Sequence, residues 1–121
     1  MHPNQLIHFL RAADGSVAKL NNEIALLAGY KRVLNPDQTS RKKALWYDIN
    51  GAEVTRMPDF TGSIDDARGL MNIMFPGHAA AISENGSECL AVINDGPAAQ
   101  GANLPLAMCI ATLTAWVARI K

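Results

Sequence analysis

A chain of 121 residues, 49% apolar and 18% charged, is long enough to close one hydrophobic core and too apolar to be disordered. Lysine plus arginine equals aspartate plus glutamate at 11 each, so no net field exists to hold nucleic acid or an anionic membrane by charge alone. No run approaches the roughly 20 apolar residues that span a bilayer, and the opening "MHPNQLIHFLRAADG" has no basic leader and is interrupted by Arg11. The expectation is a single cytoplasmic domain over 1–121, with 1–15 as a helical extension and 16–121 as the core.

The first thirty residues read as helix. Leu6, Ile7 and Leu10 form a short apolar stripe, and Asp14-Gly15-Ser16 breaks it. Val17, Leu20, Ile24, Leu27 and Ala28 then recur at three and four residues, with Gly29 placed to cap the helix C-terminus. Residues 35–43, "NPDQTSRKK", have turn chemistry. In "ALWYDINGAEVTRM" two β-prone runs flank Asn50-Gly51, which predicts a type I′ hairpin, and Asn85-Gly86 repeats the device between "HAAAIS" and "ECLAVIN". Two hairpins predict a mostly antiparallel sheet of about four strands.

Between the hairpins, Ile64, Ala67, Met71 and Met74 have helical spacing, and Pro76-Gly77 stops the run. From Leu104 onward, Leu106, Cys109, Ile110, Leu113, Val117 and Ile120 form an apolar stripe expected to face the sheet. Thr112, Thr114 and Arg119 are expected to face solvent. Trp116 widens the apolar face at its margin and is a candidate anchor for self-association. Three to four helices thus flank a sheet, on one or both faces.

"PDFTGSIDDARGLM" (58–71) sets Ser63 beside Asp65 and Asp66. A serine nucleophile needs a base and an oxyanion hole, and the Gly-x-Ser-x-Gly elbow is absent because position 65 is Asp. A helix start needs only what is present: Ser63 accepts from the Asp66 N–H, and the acids sit at the positive end of the helix dipole. His2, His8 and His78 lack metal-ligand spacing, and Cys89 and Cys109 lie twenty residues apart in apolar surroundings, so both read as buried thiols. "DGPAAQGAN" lacks the phosphate-loop glycine pattern and offers an anion only the generic N–H groups of a helix start. No catalytic residue, cofactor or metal site is expected. Lys31, Arg32, Arg41, Lys42 and Lys43 gather beside Tyr30, Trp46 and Tyr47, a pairing that can grip phosphates and stack bases. Asp37 and Asp48 offset that charge, and a solvated loop guarding a sheet edge is the simpler reading.

"LNNEIALLAGY" (20–30), "PDFTGSIDDARGLM" (58–71) and "NLPLAMCIATLTAWVARI" (103–120) occur in the order of three blocks of the phage ABA-sandwich domain family, and from about Leu20 to the end the chain resembles it. The resemblance implies a three-layer α/β/α sandwich and a bacteriophage or prophage origin. It implies no activity and carries no catalytic residue. The expected function is that of a phage accessory protein acting through protein binding or self-association. The alternative is a weak nucleic-acid-binding protein using the basic loop 31–43.

Overall fold

The computed structural model describes residues 1–34 and 44–120, the side chain of Ile120 excepted. Among these the chain forms α1 (Pro3–Ala12), α2 (Ala18–Ala28), β1 (Lys31–Leu34), β2 (Ala44–Tyr47) and β3 (Glu53–Val54). There follow α3 (Ile64–Met74), β4 (Ala80–Asn85), β5 (Glu88–Ile93), β6 (Ala99–Gly101) and α4 (Leu104–Ile120). In place of one sheet of about four strands there are two antiparallel sheets, ordered β1-β2-β3 and β4-β5-β6. Each predicted hairpin is present, and each gains a third strand too short to carry a periodic signal.

Local chemistry explains the helix ends. At α1, His2 Nδ1 accepts from the Asn4 N–H at 3.1 Å, and Pro3 occupies the first turn, where its missing N–H costs nothing. Between α1 and α2 the chain breaks at Asp14-Gly15-Ser16 as expected, but Val17 is extended and precedes α2 rather than joining its stripe. Gly29 has φ 110°, and the Tyr30 N–H reaches back to Ala25 O at 2.9 Å, which makes a Schellman ending.

The turns differ in type from the prediction. The Gly51 N–H donates to Asp48 O, the Asp48 N–H donates to Ala52 O, and only Gly51 has positive φ, at 83°. This is a three-residue loop with a glycine bulge, held by Asp48 Oδ1 accepting from the Asn50 and Ala52 N–H groups. In the second hairpin Asn85 pairs with Glu88, so the loop is Gly86-Ser87 with Gly86 at φ 63°. Glycine in the first central position makes this type II′. The Asn-Gly pairs mark the hairpins, while the strand register decides which residue enters the turn.

Helix α4 is the hub. It packs against β5 and β6 and also against α1 and α3, and reaches β4 only marginally. With neighbours on both sides it is buried all round from Pro105 to Leu113. That overturns the expectation for Thr112, which is fully buried and donates its hydroxyl to Met108 O at 2.7 Å. Thr114 is likewise half-buried. Leu106, Cys109, Ile110 and Leu113 are buried as expected, Val117 and Trp116 are half-buried against the core, and Arg119 is exposed. Helix α1, expected as an extension, gives Leu6, Ile7 and Leu10 to the same core.

Candidate functional site

The Pro58–Ser63 segment is where α2, α3 and α4 are tied together. Asp59 accepts from the Ser16 hydroxyl at 2.7 Å and from the Asn21 amide at 2.9 Å. The buried Asn21 accepts through Oδ1 from both the N–H and the hydroxyl of Thr61, and Thr61 Oγ1 accepts from the Val17 N–H. Asn103, ahead of α4, donates to Thr61 O, and the Cys109 thiol donates to Phe60 O at 3.1 Å. A Cβ on Gly62 would collide with the Asp59 carboxylate and with Ser16, so only glycine lets the chain pass there. Each polar atom named is spent on another within the fold.

Ser63 is the N-cap of α3, its Oγ accepting from the Asp66 N–H at 3.2 Å. Asp66 Oδ2 accepts from the Asp59 N–H at 2.8 Å, while Asp65 is exposed. The hydroxyl donated by Ser16, ahead of the Asn21 and Gly62 contacts, holds the Asp59 carboxyl below its ordinary range against the opposing effect of burial. A carboxylate so held is a poor proton acceptor. Burial, with the Asp59 charge behind it, pushes the Cys109 thiol far up, so it stays protonated and inert. Burial also raises Tyr30, with Asp48 and Asp66 adding to the effect, and its ring stands edge-on to Phe60 at 6.2 Å. The Ser16, Asn21, Asp59, Thr61 and Ser63 side chains of this cluster are tied to one another or to backbone as a structural clamp.

The other candidates are dispersed. His78 Nδ1 lies 2.9 Å from Phe75 O and His2 caps α1, while His8 sits edge-on to Phe9. Cys89 is buried 4.0 Å from Glu84 Oε2. Among the described residues no group of His, Cys, Asp and Glu is arranged to hold a metal, and no helix is long and apolar enough to cross a membrane. "DGPAAQGAN" supplies β6 and the start of α4, where Asn103 Oδ1 accepts from the Leu106 N–H at 2.7 Å and takes the place an anion would occupy. Of the basic run, Lys31 and Arg32 are exposed on β1, and the Arg32 guanidinium lies 5.8 Å over the Trp46 ring. Asp37, Arg41, Lys42 and Lys43 lie outside the described residues.

Two surface features escape the sequence reading. Strand β4 is an edge strand with none of its six residues buried, although β5 beside it buries Cys89, Ala91 and Ile93. Ala80, Ile82 and Glu84 stand opposite those three and share their face, which α4 barely covers on β4. The second is a cleft of about 940 Å³ between the C-terminal half of α4 and the 93–100 segment, closed by Phe75 and Arg11. Its wall holds Thr114, whose Oγ1 is shut off from solvent and has no hydrogen-bond partner among the described residues. No periodicity announces a cleft whose two arginines stand at opposite ends of the chain.

Comparison with family models, with curated proteins and with solved structures gave no significant match, so function rests on the residues themselves.

Proposed function

We propose that this chain is a small phage or prophage accessory protein, cytoplasmic in the host, that works by protein–protein contact, with its own copy as the partner. The origin, and the three-layer α/β/α arrangement that goes with it, rest on the resemblance of the 20–30, 58–71 and 103–120 blocks to the phage ABA-sandwich domain. The mode of action rests on one observation: the edge of β4, which among the described residues pairs with no strand beyond β5, with Ile82 38% exposed on a face that is buried one strand away.

An unpaired strand edge presents a row of N–H and C=O groups ready to pair. Two copies of β4 placed antiparallel about Ile82 set Ile82 against Ile82 and Ala80 against Glu84, so no like charges oppose. Such a pairing extends each sheet, satisfies the edge N–H and C=O groups and sets the two Ile82 side chains side by side. Sedimentation over a concentration series tests it. Wild type is expected to shift from monomer to dimer, and Ile82→Lys to remain monomeric with the melting temperature of dilute wild type. A monomer at every concentration would overturn the assignment.

Nucleic-acid binding through residues 31–43 is the second reading, favoured by the exposure of Lys31 and Arg32 on β1. Against it, Arg32 already occupies one face of Trp46, and the ring is half-buried against the core. Any binding is expected to be sequence-independent and to fall steeply with salt. Retention of one tight, sequence-specific complex at physiological salt would reverse the order of the two readings.

A further inference from the structure

We propose that the cleft beside α4 binds a small amphipathic carboxylate, an aliphatic chain ending in one carboxyl group. This site lies apart from β4 and does not depend on self-association. Its volume, about 940 Å³, is within the range of small-molecule sites. Phe75, Ile93 and Ile110 supply apolar wall, and Ala115 keeps the floor open.

The charge at the cleft has one sign. Arg11 and Arg119 are the ionisable side chains that line it, and no aspartate or glutamate does. Within a chain of zero formal charge, that is a local concentration of positive charge. Among the described residues neither arginine pairs with a carboxylate, and the Arg119 guanidinium is fixed 5.7 Å over the Phe75 ring, at the end of the apolar wall. A guanidinium fork matches a carboxylate, and the apolar wall asks for a hydrocarbon tail. Cationic and purely polar molecules satisfy neither half of this arrangement.

The test titrates the isotope-labelled full chain with decanoate, using decanol and decyltrimethylammonium as controls of equal chain length. Decanoate is expected to shift backbone resonances of 93–100 and 110–119. It is also expected to bind about tenfold more tightly than decanol, the scale of a single charge-assisted contact. Arg11→Gln and Arg119→Gln, changes at exposed side chains, should each weaken decanoate, and the double variant should reduce it to the decanol level without altering the fold. Ala115→Trp should fill the cleft and abolish both. Equal binding of all three amphiphiles, shifts confined to other surfaces, or an unaltered decanoate affinity in the Arg11→Gln, Arg119→Gln double variant would each overturn the proposal.

Discussion

Ser63 and Asp59 show how a motif that looks chemical can be wholly structural. Replacing Ser63 by alanine removes the acceptor for the Asp66 N–H and is expected to cost about 0.5–2 kcal/mol, whereas Ser63→Asp should restore most of it. Urea denaturation of the three proteins checks this, and an aspartate variant no better than alanine would refute the cap. Asp59 makes the complementary prediction through pH. Its folded pKa lies below the unfolded value of about 3.9, so its contribution is complete above that value. The contribution is lost as pH falls through the folded pKa. Stability measured from pH 7 downward should therefore fall in acid for wild type and fall less for Asp59→Asn. The Ser63 cap was legible because capping is local in sequence. Asp59 was not, because its partners Ser16 and Asn21 lie 43 and 38 residues away.

At the scale of elements, periodicity located the helices, and the Asn-Gly pairs located both hairpins. It failed where an element has neighbours on more than one side. Thr112 was expected in solvent because a one-sided stripe assigns it there, yet α1 and α3 cover the face of α4 that the sheet does not. Two substitutions separate the accounts. Leu113→Ala, at a fully buried position, should cost about 2–5 kcal/mol. Thr112→Lys should unfold the domain, since a buried unpaired ammonium has no counter-charge beside it. A stably folded Thr112→Lys variant would return α4 to the surface. Sheet count was illegible for a related reason. The added strands β1 and β6 have four and three residues, too few for alternation to register, and nothing local says which hairpin edges meet.

Among the described residues, polar groups near the helix starts are consumed by the 58–63 clamp, while the β4 edge and the arginine-flanked cleft are among the features that remain open. Both arise from how α4 is shared. Its N-terminal half is buried all round, whereas its C-terminal half emerges beside 93–100 and leaves a cleft, and β4 runs beyond its cover. The central claim is that the β4 edge is unpaired in the monomer and becomes paired when two copies meet. Amide hydrogen exchange followed as a function of protein concentration measures this directly. The account predicts that the alternate amides of 80–85 that face away from β5 exchange quickly in dilute solution and slow as concentration rises, while the amides bonded to β5 and those of α4 stay protected throughout. Exchange of those outward amides that stays fast at every concentration, with α4 protected, would contradict it.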